Sequence, residues 1–249
     1  FDRSAENTLN VNTPSDKLIV EYNSFNIAQQ ETVNFNQPSA SSVALNRVIG
    51  SDPSAIAGAL KANGQVFVVN PNGIMFTSTS RVDVAGLVAS TLDISNEDFL
   101  VGRYNFFKTG ENAYIINQGN IQIKNGGYVA LLSAAIDNQG TIQADLGTAI
   151  LASGEAITLA LDDANDISVV IDEGVKSEVF GPNGEKLTSA IKNSGLISAN
   201  GGKVILTAKV LNKVFDYAIN NTGIIEAKNV VNHNGVIELV AEGAPIINT

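Results

Sequence analysis

Residues 116–122 read INQGNIQ, and the pattern returns as DNQGTIQA at 137–144, KNSGLISA at 192–199 and NNTGIIEA at 220–227. Each copy sets an Asn-x-Gly turn directly before a short strand of alternating apolar and polar or small residues. Alternation with a period of two is typical of β-strands, and Asn and Gly are residues that turns favour. The chain therefore carries a repeated unit of turn and strand.

A second strand follows each copy and opens with glycine, at Gly127, Gly147, Gly202 and Gly235. The full unit of about 20 to 28 residues leaves no room for a helix, which argues against helical repeat proteins. It suits a β-solenoid, in which stacked coils bury an aliphatic ladder and turn asparagines can stack their amides. A β-sandwich is the alternative, but it gives no reason for one turn sequence to recur in register.

Composition narrows the range of functions. The 249 residues carry 25 acidic and 15 basic side chains, one His and no Cys. A net charge of −10 argues against nucleic-acid binding. Without Cys there are no disulfides, no Cys-ligated zinc and no thiol catalysis. The sequence contains no run of about 18 apolar residues, so it predicts no membrane-spanning helix. No cluster of Asp, Arg and Lys recurs at stacked positions, so we expect no catalytic activity. We also expect no cofactor and no metal.

Local signals predict further features of the backbone. Residues 53–60 resemble a short helix, with Ser51 or Asp52 as the N-cap and Pro53 at the first helical position. The repeat glycines are expected to share one conformation with positive φ, because they occupy equivalent turns. These are Gly119, Gly140, Gly195 and Gly223.

Two segments interrupt the repeat. Residues 162–189 are too long for a turn and are expected to form a small β excursion outside the coils. Residues 96–114 are rich in aromatic side chains and are expected to pack over one face. Residues 236–249 still follow the repeat, so we expect the rod to continue in a longer parent protein and the fragment to associate end to end.

Residues 24–95 carry blocks that resemble a known family. The blocks are SFNI at 24–27, ETVNF at 31–35, ALNRVIG at 44–50, ANGQVF at 62–67, NPNGI at 70–74 and GLVAST at 86–91. They are similar to the N-terminal secretion domain of two-partner (type Vb) exoproteins, the filamentous-haemagglutinin-like family. That resemblance implies an all-β, right-handed parallel β-helix with extra-helical β excursions. It also implies secretion through an outer-membrane β-barrel transporter whose periplasmic domains bind this segment.

The resemblance assigns transporter recognition to Asn70, Pro71, Asn72, Gly73 and Ile74, which match the family's Asn-Pro-Asn-Gly-Ile motif. The same five residues also read as a tight turn, because Pro fixes φ and Gly accepts positive φ. The family's second motif, Asn-Pro-Asn-Leu, has no match, and the capping strands ahead of residue 7 are expected to be short or missing.

Asn46 and Arg47 are a second candidate recognition pair. The alternative for them is a hydrogen-bonded clamp over the neighbouring coil, and the clamp is the favoured interpretation. The acidic run from Asp162 to Glu173 offers hard oxygen ligands for calcium, yet it lacks a known calcium loop and reads better as a solvated face. His233 lies in a turn and is expected to be exposed.

These observations predict a secretion and folding-nucleus domain of a large adhesin-like exoprotein, secreted or surface-exposed on a diderm bacterium. Residues 1–95 are assigned to the secretion signal and residues 96–249 to further coils. The parent protein's own ligand, a surface receptor or glycan, is expected to bind beyond this stretch. Two alternatives remain: a purely structural or filament-forming β-solenoid, and a carbohydrate-active β-helix enzyme.

Overall fold

A computed structural model describes residues 2–5, 7–161 and 167–249, with the backbone alone at 2–5. The chain is almost entirely β. In chain order the elements are β1 Asp2–Ala5, β2 Thr8–Asn12, β3 Lys17–Tyr22, β4 Thr32–Asn36, β5 Val43–Val48, β6 Ser54–Ile56, β7 Ala59–Ala62, β8 Gln65–Val69, β9 Ile74–Phe76, β10 Arg81–Ser90, β11 Asp93–Ile94, α1 Asn96–Val101, β12 Tyr104–Phe107, β13 Tyr114–Asn117, β14 Asn120–Ser133, β15 Ala135–Asn138, β16 Thr141–Gln143, β17 Thr148–Ser153, β18 Ala156–Leu161, β19 Ile167–Glu173, β20 Ser189–Asn193, β21 Leu196–Ser198, β22 Lys203–Lys209, β23 Tyr217–Asn221, β24 Ile224–Glu226, β25 Val236–Glu242 and β26 Ile246–Asn248.

Parallel strands form three faces, and each coil contributes to each face in turn. The first face orders β2, β4, β7, β10, β14, β16, β21 and β24, and the second orders β3, β5, β8, β10, β14, β17, β22 and β25. Strands β10 and β14 serve both faces, and the register between them shifts from Val84 to Gly86 where they bend from one face to the next. The third face orders β6, β9, β13, β15, β20, β23 and β26. The predicted parallel β-helix is confirmed.

Aliphatic ladders fill the space between the three faces. On the third face Ile115, Ile136, Ile191 and Ile219 occupy equivalent positions and are buried. Removing such side chains from water is the main source of stability for a stack of coils, at about 25 cal/mol per Å² of apolar surface. The stacking confirms the register of the four repeats.

The repeat glycines are required by close packing and not by left-handed backbone. None of Gly119, Gly140, Gly195 and Gly223 has positive φ, so that prediction is wrong. A Cβ on Gly140 would lie 2.2 Å from the carbonyl oxygen of Gly119, and one on Gly195 would lie 2.0 Å from that of Gly140. Glycine is needed because the carbonyl of the preceding coil occupies the space of a side chain.

The predicted helix at 53–60 is also wrong. Ser54 and Ile56 are buried while Ala55 is exposed, which is the alternation of a strand, and β6 pairs with β9. Pairing with a neighbouring coil overrides the local helical signal. The helix that does form is α1, where the Ser95 side chain accepts a hydrogen bond from the Asp98 amide at 3.0 Å and Gly102 ends the helix with φ of 79°. The described residues contain no helix long and apolar enough to cross a membrane.

An antiparallel sheet covers the outer side of the second face. Its strand order is β11, β12, β18 and β19. Phe106 of this sheet and Phe99 of the adjoining α1 pack against Phe67 of the second face. The aromatic segment therefore packs over one face as predicted. Residues 167–173 of the predicted excursion belong to this sheet, whereas Val175 and Val179 return to the main core and are fully buried.

Strand β1 pairs antiparallel with β2 at the start of the stack, so a four-residue strand lies ahead of residue 7.

Candidate recognition site

The turn at Asn70 lies where the chain passes from the second face to the third, between β8 and β9. The Gly73 amide donates to the Asn70 carbonyl at 3.1 Å, and Gly73 has φ of 124°, which a side chain would oppose. The Asn70 side-chain oxygen accepts from the backbone amide and the Nδ2 of Asn72, both at 3.0 Å. The predicted turn is therefore an Asx-type turn closed by its own asparagines.

The same turn is joined to the coil before it. Asn70 Nδ2 donates to the carbonyl of Asp52 and to the hydroxyl of Ser54, each at 3.0 Å. Asn72 Nδ2 donates to the Gly50 carbonyl at 2.9 Å. These partners were not recognised from the sequence, where Asp52 and Ser54 were assigned to a helix start.

A further bond joins the turn to the coil after it, because the Asn70 amide donates to the Ser90 carbonyl at 2.9 Å. Asn70 is 0% exposed. Ile74 is buried in the core, whereas Pro71 and Asn72 are half-buried. Only Pro71 and Asn72 of the five motif residues present side chains to solvent.

Asn46 is a buried clamp between strands of adjacent coils. Its Nδ2 donates to the carbonyl of Phe67 at 3.2 Å, and its Oδ1 accepts from the Tyr22 hydroxyl at 3.1 Å. Burial raises the pKa of Tyr22 to about 12, so the hydroxyl remains a donor at any physiological pH. The side chain of Asn46 thus links the coils on both sides of β5.

Arg47 fastens the outer segment to the coils. Its Nε lies 2.9 Å from a carboxylate oxygen of Asp93, and its Nη1 donates to Asn96 at 2.6 Å and to Glu21 at 3.3 Å. Its Nη2 donates to the Ile94 carbonyl. Arg47 is only 8% exposed, and these hydrogen bonds and ion pairs offset the cost of burying its guanidinium. Only the Glu21 contact is a clamp on the neighbouring coil, and the other three partners belong to the outer segment.

The structure brings the two candidate sets to one corner. Arg47 pairs with Val69 in the register of β5 and β8, one residue before Asn70. The corner of 46–47 and 70–74 is called the asparagine corner below. Sequence spacing gave no sign of this proximity, because the register of parallel coils is set by packing.

The other sequence candidates lie apart from this corner. Asp162, Asp163 and Asp166 of the acidic run lie outside the described residues. Asp172 accepts from Thr158 at 2.8 Å, and Lys176 lowers the pKa of Glu173 through a hydrogen bond. Among described residues no three acidic or His side chains stand close enough to hold a metal ion. His233 is exposed in its turn.

Three parallel faces and a corner closed by buried asparagines define the class of parallel β-helix domains. The profile of the TPS (two-partner secretion) domain family, described as "TPS secretion domain", matches residues 3–248. The chain therefore belongs to the TPS secretion domain family. Such a domain serves an exoprotein that is exported across the outer membrane.

Known proteins agree with this assignment. The chain is 35% identical over 248 residues to a heme/hemopexin-binding protein of Haemophilus influenzae strain Rd, covering 97% of this chain and 26% of that protein. A second heme/hemopexin-binding protein of Haemophilus influenzae is 31% identical, over 100% of this chain and 28% of its own length. The chain thus spans about a quarter of the curated relatives that it matches.

A solved structure is similar in fold. The HMW1 secretion domain from Haemophilus influenzae superposes with a TM-score of 0.74 at 29% identity, covering 92% of this chain and 60% of that one.

Proposed function

We propose that this chain is the secretion and folding-nucleus domain of a large surface-exposed or released exoprotein, recognised by the periplasmic domains of an outer-membrane β-barrel transporter. The observation that carries the proposal is the family match over residues 3–248. Residues 1–95 engage the transporter in this proposal, and residues 96–249 begin the rod. The domain acts by binding and folding, without catalysis or a cofactor.

Recognition acts on the extended chain, before the asparagine corner closes. In the folded domain Asn70 and Ile74 are fully buried, and the side-chain groups of Asn70 are engaged in hydrogen bonds within the domain. A partner that reads the whole motif therefore has to meet it unfolded. Release of the motif then lets the corner close, so binding and folding compete for the same side chains.

Closure of the corner supports nucleation. Asn70 bonds to the coil before it, at Asp52 and Ser54, and to the coil after it, at Ser90. In a solenoid each coil is stabilised mainly by its neighbours, so a coil with polar links on both sides is a favourable starting point. Later coils then add to an existing template.

The experiment compares Asn70→Ala with Asn138→Ala in the full precursor, expressed together with its transporter. Both substitutions remove a buried asparagine with hydrogen bonds to neighbouring coils. We expect Asn70→Ala to abolish release into the medium, measured by immunoblot, while Asn138→Ala is released despite a similar loss in thermal stability of the purified domain. If both variants are released at the same level, or if release of both is lost to the same extent, recognition through the motif is contradicted.

A second candidate concerns the cargo of the parent exoprotein. Both curated relatives are named heme/hemopexin-binding proteins, which favours haem or a haem carrier over an adhesin's receptor. We place that binding outside this chain. His, Cys and Met are common ligands of haem iron, and the chain contains only one His, one Met and no Cys. We expect immobilised hemin and hemopexin to retain the whole exoprotein and not the 249-residue chain; retention of the chain alone would contradict this.

A further inference from the structure

A cleft of about 590 Å³ lies on the outer side of the third face, under the segment 182–189. The floor is formed by β9, β13, β15 and β20, and the roof is a small hairpin in which the Gly181 amide donates to the Glu185 carbonyl at 2.8 Å. This volume lies within the range of small-molecule sites. The cleft is separate from the asparagine turn, although Tyr114 in its wall lies against Gly73.

The hollow follows from the side chains that point outward from neighbouring coils. Ile116, Asp137 and Lys192 are aligned in register across three coils. In the adjacent row Tyr114 is paired with Ala135, whose short side chain leaves space beside the ring. The floor therefore presents an aromatic ring and an aliphatic patch next to charged groups.

Four polar groups in the cleft have an atom without a partner among the described residues. The Oδ1 of Asp137 and the hydroxyl of Ser189 are buried and form no hydrogen bond in the described structure, whereas Oδ2 of Asp137 accepts from Nε2 of Gln139 at 2.7 Å. Ser189 is 6% exposed. The ammonium of Lys192 and the hydroxyl of Tyr114 have no hydrogen bond or ion pair with described residues, although Lys192 is the register neighbour of Asp137. Leaving the buried Oδ1 of Asp137 and the buried hydroxyl of Ser189 unpaired is unfavourable, so a ligand that pairs with them gains from doing so, and the exposed Lys192 is free to reach the same ligand.

We propose that this cleft binds a neutral carbohydrate unit. Sugar hydroxyls donate and accept at once, which matches an acceptor at Asp137, a donor at Lys192 and a hydroxyl at Ser189. The Tyr114 ring and Ile116 offer an apolar surface to the C–H face of a sugar ring. Terminal carboxylate torsions are soft, so Asp137 can turn toward a ligand hydroxyl.

The charges of the cleft favour a neutral ligand over an ion. Asp137 and Glu185 balance Lys186 and Lys192 along the walls. A phosphate or polyanion would meet both carboxylates, and a polycation both ammonium groups. Lys186 is already paired with Glu178 at 2.7 Å, which leaves Lys192 as the cation without an ion pair in the cleft.

The test applies the 249-residue chain to an array of immobilised oligosaccharides, with one set from bacterial outer surfaces and one from animal cells. Retention on neutral glycans of either set supports the proposal, and the set that binds identifies the source. We expect Asp137→Ala and Lys192→Ala each to weaken binding to the retained oligosaccharide, measured by titration calorimetry, by about tenfold or more, as loss of a hydrogen bond to a charged group implies.

The matched control is Asp83→Ala with Lys61→Ala. These residues form the same kind of register pair on the first face, exposed and without a roof. The control variants should bind like the parent chain. Thermal unfolding checks that all variants are folded. Because Lys192 is exposed, Lys192→Ala is expected to fold and keeps the test valid if Asp137→Ala unfolds. No retained glycan, retention of acidic glycans alone, or equal binding by cleft and control variants would overturn the proposal. So would binding only of peptides from the transporter's periplasmic domains.

Discussion

Asn138 belongs to a row of turn asparagines whose side chains are hydrogen-bonded from coil to coil. Its Oδ1 accepts from Asn117 at 2.8 Å and its Nδ2 donates to Asn193 at 2.7 Å, and the row continues to Asn221 and Asn248, each step at 2.6 Å. The first three of these asparagines are fully buried. Each side-chain amide both donates and accepts, so the asparagines of adjacent coils supply each other's hydrogen-bond partners. The repeat is therefore maintained by chemistry that only identical neighbours supply.

We expect Asn138→Ala to destabilise the domain by about 2 to 4 kcal/mol, because it leaves a buried donor on Asn117 and a buried acceptor on Asn193 without partners. Chemical denaturation followed by circular dichroism measures the change. The control is Asn36→Ala, which removes an exposed step of a similar row, at 2.8 Å to Asn12. Water replaces that bond, so the cost should stay below about 1 kcal/mol. Equal losses at the two sites would show that burial of the row has no special importance.

At the scale of elements, the outer sheet depends on few anchors. The side chain of Arg47 in β5 binds Asp93, the Ile94 carbonyl and Asn96. These residues belong to β11 and to the start of α1, where the outer segment begins. Arginine suits this position because its planar group donates in several directions at once. Phe67 adds ring contacts to Phe99, 5.8 Å between centroids. A second polar anchor is Lys17 of β3, whose ammonium donates to the carbonyls of Phe99 and Leu100 in α1 at 3.1 and 2.7 Å. The segment is thus held by Arg47, by Lys17 and by an aromatic cluster.

We expect Arg47→Gln to destabilise the domain by about 2 to 3 kcal/mol, because the buried hydrogen bonds and ion pair are lost while the carboxylates keep some access to water. Hydrogen exchange should locate the effect in β11, α1 and β12. Arg103→Gln is the control, since Arg103 pairs with Asp98 at the surface. Little or no change is expected there, because exposed ion pairs contribute little. Uniform exchange throughout the chain after Arg47→Gln would argue against a local anchor.

At the scale of the whole molecule, the coils form one continuous stack in which the inner strands of each face pair with the coils before and after them. The last strands of the three faces, β24, β25 and β26, each pair on one side only among the described strands. Ile237 of β25 is 45% exposed although its register partner Val204 is fully buried. An open edge with apolar side chains is a template for further β pairing.

We expect the 249-residue chain to associate through this edge in a concentration-dependent manner, measured by sedimentation velocity. Ile237→Lys should shift the chain toward monomer, because a charge pointing into the stack opposes pairing. Val231→Lys is the control, since Val231 is 86% exposed in a turn away from the strand. A chain that stays monomeric at all concentrations, or equal effects of the two substitutions, would rule out association by β25.

The sequence alone was sufficient for the β-helix, the repeat register and the turn at 70–74. The β-helix and its register depend on patterns repeated at equivalent positions: Asn at each corner, Gly after it and an alternating strand. The turn depends on the backbone preferences of Pro71 and Gly73, which act locally. The family blocks at 24–95 were equally visible, because they are contiguous in the chain.

Only the tertiary structure decided which local signals were real. Residues 53–60 have a good helix start, yet pairing of β6 with β9 makes strands of them. The repeat glycines looked like positive-φ positions, and the true constraint is a carbonyl of the coil below. Contacts between coils are long-range, and a local pattern does not encode what its neighbour in space will be.

The asparagine corner and the cleft illustrate the same limit. Arg47 lies beside Val69 because β5 and β8 pair, and Asp137 lies beside Lys192 because β15 and β20 pair. Residue types and spacing identified the motif residues, but their partners at Asp52, Ser54 and Ser90 come from other coils. Stacking determines which side chains meet, because the energy of the coil interface outweighs the preferences of any single turn.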